Sequence, residues 1–199
     1  MKLVVIKYNA GNIRSVDYAL KRLGVDAEVT ADVEKIRSAD KVIFPGVGEA
    51  FNTMKYLRET KLDQVIVSLK QPVLGICLGL QLMCKHSEEG NTDCLGIFDE
   101  EVKRFQPKPG EENIYKVPHM GWNTLTNVNS ALFNASAENQ YVYFVHSFYA
   151  AIGPHTAATT NYTQSFSAAL HKDNFYATQF HPEKSGTVGA KILENFIKL

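Results

Sequence analysis

The 199 residues include 21 basic and 21 acidic side chains, a formal charge of zero, with 45% hydrophobic residues. A chain of this size buries about 70% of its unfolded surface, so one core can form without covalent staples. The charge balance excludes a strongly basic coat for nucleic acid or anionic membranes, and no stretch reaches the roughly 18 apolar residues of a membrane span.

Cys77, Cys84 and Cys94 are too few, and odd in number, for a disulfide framework, and their spacing fits no zinc pattern. The opening "MKLVVIKYN" lacks a secretory layout. A cytoplasmic protein is expected, in which the sequons at Asn134 and Asn161 have no role. With no repeat, linker or low-complexity tract, residues 1–199 read as a single domain.

In chain order, "KLVVIKY" (Lys2 to Tyr8) is a β-branched run closed by the turn cluster "NAGN". Asn12 then stands where it can cap a helix carrying Ile13, Val16, Leu20 and Leu23, and Gly24 supplies the stop. "KVIFPG" (Lys41 to Gly46) is a second strand. Helical spacing returns at Leu62, Val65, Ile66 and Leu69. "QPVLGIC" gives a third strand and "LGLQLMCKH" a third helix. Three strand-then-helix units with near-continuous apolar strands predict an α/β fold, its parallel strands covered on both faces.

From Cys94 to Phe180 short β-rich stretches recur: "LGIFDEEVKRF", "GWNTLTN", "QYVYFVHSFYA", "HTAATT", "FSAALH" and "NFYATQF". They predict a mixed or antiparallel extension of the sheet, with "PKPGEE" (Pro107 to Glu112) as a surface loop. A last helix follows "EKSG" and carries Val188, Ile192, Phe196 and Ile197.

"GICLG" (Gly75 to Gly79) has the layout of a nucleophile elbow with sulfur in place of oxygen. A nucleophile at a sharp strand-to-helix turn needs small neighbours, which accounts for both glycines. The turn sets Cys77 at a helix N-terminus, where unpaired N–H groups and the helix dipole favour thiolate. The N–H of Leu78 points where an oxyanion would form. The same five residues also suit an inert thiol in a close-packed turn, so a base must decide between the readings.

Of six histidines, His86 reads as a solvated helix end, and His155 and His171 as surface residues. His119 and His146 lie in aromatic, strand-like stretches and read singly as hydrogen-bonded structural residues. His181 differs. It ends a strand, Pro182 halts the ladder and turns the chain outward at a sheet edge, and the Glu183 carboxylate can fold back to fix the imidazole tautomer.

"PGVGEAF" (Pro45 to Phe51), "GICLGLQ" (Gly75 to Gln81) and "QFHPEKS" (Gln179 to Ser185) together resemble the class I, triad-type glutamine amidotransferases. "PHMGWN" (Pro118 to Asn123), "YFVHSFY" (Tyr143 to Tyr149) and "YNAGNIRSV" narrow the resemblance to the glutaminase subunits of imidazole glycerol phosphate synthase. The resemblance implies a flavodoxin-like fold: a central, mostly parallel sheet with helices on both faces and a mixed or antiparallel extension. It implies Cys77 as nucleophile, His181 as acid–base and Glu183 as the orienting carboxylate. Backbone N–H groups of Val47 and Leu78 would form the oxyanion hole, that of Val47 after rotating inward. Gln81 and the backbone of Gly46, Ser147 and Phe148 would hold glutamine.

No cofactor or metal is implied. Because the chain has no phosphate-binding loop or basic cluster for the family's phosphorylated acceptor, the resemblance implies a (β/α)8-barrel cyclase subunit as heterodimeric partner. Asn12, Met120, Trp122, Tyr143 and Lys184 would lie on or near that interface. The free subunit would hydrolyse glutamine poorly. Two other readings share the motifs: a stand-alone cysteine hydrolase on the same scaffold, and a glutaminase serving a different acceptor. An intact Cys–His–Glu set argues against a silent regulatory subunit.

Overall fold

The structure, a computed structural model, describes residues 1–8, 12–133 and 137–199. Residues 9–11 of the "NAGN" turn and the sequon at Asn134 lie outside the described residues. Three runs are buried along their whole length and form strands β1 (Leu3–Ile6), β3 (Lys41–Gly46) and β4 (Val73–Cys77). Complete burial follows from cover on both faces. Val4, Ile6, Val42 and Phe44 point into one core, and Leu3, Val5, Ile43, Leu74 and Ile76 into the other.

The first core is closed by helices α2 (Val33–Arg37), α3 (Ala50–Glu59), α4 (Leu62–Ser68) and α5 (Leu78–Met83). The second is closed by α1 (Ile13–Arg22) and α6 (Gly186–Lys198), through Val16, Leu20, Ile192 and Phe196. Each such buried aliphatic or aromatic side chain contributes about 1.5–3 kcal/mol. Gly24, at φ 75°, ends α1 as expected.

Strand β2 (Ala27–Thr30) pairs outside β1, and β13 (Phe175–Thr178) lies beyond β4, so the parallel block runs β2-β1-β3-β4-β13. That is a flavodoxin-like order, with its switch point between β1 and β3. Beyond β13 the sheet continues antiparallel through β12 (Ser165–Lys172) and β10 (Phe148–Ala150) to β7 (Glu101–Arg104). Short strands β5 (His86–Ser87) and β6 (Thr92–Asp93) follow at that edge, and β11 (Thr156–Asn161) pairs with β12. The mixed extension is as expected.

Several expectations change. β8 (His119–Thr124) and β9 (Tyr141–His146) form a separate antiparallel ribbon rather than part of the main sheet. The unit β2–α2 escaped the periodicity, being only four and five residues long. His86 sits in β5 beside Glu101, because α5 stops at Met83. His155 is tied to buried Glu100 through Nδ1 at 3.1 Å rather than free at the surface. Nor does Pro182 mark an edge. β13 lies between β4 and β12, and its ladder ends at Thr178, so Pro182 removes no ladder hydrogen bond.

Candidate active site

The site lies beyond the carboxyl ends of β3, β4 and β13, where doubly wound sheets bind ligands. Cys77 is the last residue of β4 and the first flank of α5, at φ 54° and ψ −107°. A non-glycine residue held there costs on the order of 1–3 kcal/mol of backbone strain, which its surroundings must impose. The glycines show how. A Cβ on Gly79 would sit 2.1 Å from the Phe44 carbonyl oxygen, and one on Gly75 2.9 Å from Met83 Sδ. Gly46, opposite Cys77 in the ladder, would meet Gly79 N at 2.7 Å and the Tyr8 hydroxyl at 2.8 Å. At Gly79 and Gly46 backbone approaches too closely for any side chain, and at Gly75 a Cβ would crowd Met83 and the Gly79 backbone at 3.1 Å.

His181 arrives from the far end of the chain. The backbone N–H of His181 donates to Tyr143 O at 2.9 Å, and Ser185 Oγ donates to His181 O at 2.6 Å while accepting from Tyr143 N at 2.9 Å. Pro182–Lys184 is a single 3₁₀ turn that folds Glu183 back beneath the ring. His181 Nδ1 donates to Glu183 Oε1 at 2.7 Å, and Asn12 Nδ2 donates to the same oxygen at 2.5 Å. Asn12 thus makes no side-chain cap for α1; its amide is spent on Glu183 instead. With Nδ1 committed, Nε2 is the nitrogen left for Cys77. It is buried and has no hydrogen-bond partner among the described residues.

Burial acts to lower the His181 pKa, but the neighbouring Cys77 charge and then Glu183 outweigh it, and the value rises to about 10. An imidazolium is therefore stabilised wherever the thiolate is present. The Cys77 charge is the largest of the influences that raise the His181 pKa. The buried Tyr8 hydroxyl, raised by desolvation and then by Cys77, donates to Pro45 O at 2.5 Å and braces the base of the "PGVG" segment.

Cys77, Leu78, Val47, Gly48, Gln81, Ser147, Phe148 and His181 line one cavity of about 330 Å³, the scale of a small-ligand site. Gln81 Nε2 donates to Phe148 O at 2.7 Å and to Gln179 Oε1 at 3.1 Å, while Gln179 Nε2 approaches Cys77 Sγ at 3.8 Å. Gly46 lies beneath the elbow rather than along the cavity wall. Of the residues expected at a partner face, Met120 and Trp122 are 63% and 55% exposed. Lys184 is exposed at the cavity rim, and Tyr143 is half-buried with its ring edge-on to Trp122. Asn12 is half-buried over Glu183.

Sequence reading gave no role to Gln179, Ser185 or Tyr8. The first two stand within the quoted "QFHPEKS", so the motif held the signal, but their contacts span 102 and 42 residues of chain.

A nucleophile at a strained corner, an imidazole beside it and a buried carboxylate behind the imidazole can perform acyl transfer at a carbonyl or amide. Residues 4–199 match the family model described as "Glutamine amidotransferase class-I". The chain belongs to the class-I glutamine amidotransferases. Among family members, a Bacteroides thetaiotaomicron protein named "Imidazole glycerol phosphate synthase subunit HisH" is 65% identical over the whole of both chains. A Shewanella loihica protein of the same name is 45% identical, over 98% of this chain and 90% of its own. A solved glutamine amidotransferase shares the fold at a TM-score of 0.73, with 19% identity over 98% of this chain and 97% of that one. The α/β fold expected of a class-I glutamine amidotransferase is therefore present.

Proposed function

We propose that this class-I glutamine amidotransferase is the glutaminase subunit of an imidazole glycerol phosphate synthase and acts in histidine biosynthesis, with residues 1–199 as one functional unit. The observation that carries the reading is the meeting of Cys77 and His181 on a single small-ligand cavity, with Glu183 bonded to the imidazole from behind. Full-length similarity to proteins named as subunits of that synthase supports the choice of acceptor reaction.

In this reading Cys77 Sγ attacks the side-chain amide carbon of glutamine. Backbone N–H groups of Leu78 and Val47 receive the oxyanion, the latter after its peptide turns inward, with Gly48 at φ 122° beside it. His181 Nε2–H protonates the departing nitrogen, and ammonia leaves as the γ-glutamyl thioester forms. The neutral imidazole then takes a proton from water, hydroxide adds to the thioester, and glutamate departs as the Cys77 thiolate returns. Glu183, braced by Asn12, holds the tautomer throughout. Gln81 and the backbone of Ser147 and Phe148 hold the substrate, and Gly46, beneath the elbow, supports that wall from behind. No cofactor or metal enters.

The partner is a (β/α)8-barrel cyclase in a heterodimer. It receives the ammonia directly and turns its ribonucleotide into imidazole glycerol phosphate and AICAR. Met120, Trp122, Tyr143, Lys184 and Asn12 form or adjoin the contact, since the first two present exposed apolar surface and Lys184 stands at the cavity rim. The compartment is the cytoplasm, in keeping with the free thiols of Cys77, Cys84 and Cys94. Among the described residues no helix is long and apolar enough to cross a membrane.

The test is glutamate release by the chain alone, with the cyclase, and with cyclase plus its nucleotide. Turnover should rise by orders of magnitude on full assembly and vanish in C77A. Equal rates in all three conditions, or activity surviving C77A, would reject the reading.

A further inference from the structure

The aromatic ribbon and the cavity are joined by a pair of buried histidines. His119 Nδ1 and His146 Nε2 lie 3.0 Å apart, and His146 Nδ1 lies 2.7 Å from Phe148 O. The proton positions follow from the end of the chain. A carbonyl oxygen only accepts, so His146 Nδ1 carries the hydrogen. Burial pushes His146 down to about 3 and His119 to about 4, so both rings are neutral at ordinary pH. His146 Nε2 is then an acceptor, His119 Nδ1–H must donate to it, and His119 Nε2 faces the Asn123 amide at 3.4 Å. Only one pair of tautomers satisfies every contact.

Packing fixes the first ring. His119 is stacked between Tyr162, at 4.0 Å between centroids, and Phe144, at 5.0 Å. The stacks hold the ring plane, and within that plane the contact to His146 selects the orientation, since a flipped ring would put a carbon where Nδ1 donates. At the other end, Phe148 O accepts from His146 and from Gln81 Nε2 together. The second proton on Gln81 Nε2 is used by Gln179 Oε1. Both donors of the Gln81 amide are thus directed into protein, and its Oε1 is what Gln81 can offer a ligand in the cavity.

We propose that the His119–His146 pair is a positioning relay that holds the Phe148 carbonyl, and through it sets the Gln81 amide with Oε1 as the acceptor presented to glutamine. The relay begins on β8 between Pro118, at the cavity wall, and exposed Met120. It therefore ties substrate affinity to the placement of the ribbon. The proposal rests on the glutaminase reading only for the identity of the ligand. His146 lines the cavity wall and His119 stands behind it.

Two variants separate hydrogen bonding from packing in the assembled enzyme. His119→Phe retains the ring stack and loses the donor. His119→Asn places an amide N–H near the position of Nδ1. Losing one such bond is worth about three- to tenfold in affinity. H119F should raise KM for glutamine by about that factor with kcat changed less than about twofold, and H119N should restore most of it. In the wild type, ¹⁵N spectra of labelled histidine should show both His146 and His119 protonated at Nδ1 and bare at Nε2. In H119F the His146 Nε2 signal should shift. Equal KM values for H119F and wild type, equal loss in H119F and H119N, or His146 protonated at Nε2 would each overturn the relay. A wild-type assembly without glutaminase activity would overturn the parent reading instead, and the nitrogen spectra would still decide the relay.

Discussion

Glu183→Gln probes the charge behind His181 with little change of shape. The amide oxygen can still accept from His181 Nδ1 and from Asn12, which now lie 2.7 and 2.5 Å from Oε1. The amide nitrogen replaces Oε2, which has no partner to lose. What disappears is the negative charge. A hydrogen bond to a charged group is worth about 1.5–3 kcal/mol against about 1 for a neutral one. The difference is therefore about 0.5–2 kcal/mol, or about one pH unit in the His181 pKa. The sign is downward from about 10, since losing the carboxylate disfavours the imidazolium. Cys77→Ala should lower the value further than Glu183→Gln, because the cysteine's charge is the larger of the two raising influences. NMR titration of the His181 ring in the three proteins gives the order directly. The alkaline limb of kcat, where His181 must protonate the amide nitrogen so that it leaves as ammonia, should move down with the Glu183→Gln value. A His181 pKa unchanged in E183Q, or a larger fall in E183Q than in C77A, would refute the electrostatic account.

Other outcomes follow from the same geometry. Gly79→Ala drives a methyl to within 2.1 Å of the Phe44 carbonyl, where only backbone can give way. It should cost about 3 kcal/mol or more by denaturant melting, and a midpoint near wild type would show that the elbow is looser than described. Lys184→Glu, at the exposed rim, should weaken binding of the cyclase while leaving the fold's melting point unchanged; undiminished affinity by calorimetry would remove Lys184 from the contact. The buried pair His119 and His146 binds protons only near pH 4 and 3, whereas unfolded imidazoles bind near 6.5. The unfolded chain therefore takes up more protons in that window, and stability should fall as the pH drops from about 6.5 toward 4. Urea midpoints that stay level across this range in wild type, or fall as steeply when both histidines are replaced, would contradict the assignment.

The sequence by itself determined what short-range sterics and pattern control. "GICLG" kept small residues on both sides of Cys77, where Gly79 meets the Phe44 backbone and Gly75 meets Met83, and the buried runs of β1, β3 and β4 required cover on two faces. "HPE" fixed a carboxylate two positions from an imidazole, close enough to reach its ring. The tertiary structure decided everything that depends on which distant segments meet. It diverted Asn12 from a helix cap to Glu183 across 171 residues. It set the strand that leads to His181 between β4 and β12 rather than at an edge, lifted β8 and β9 into a ribbon of their own, and paired two histidines that each looked merely structural. Helices and strands declare themselves through periods of a few residues, whereas a hydrogen bond between positions far apart in the chain leaves no period to read.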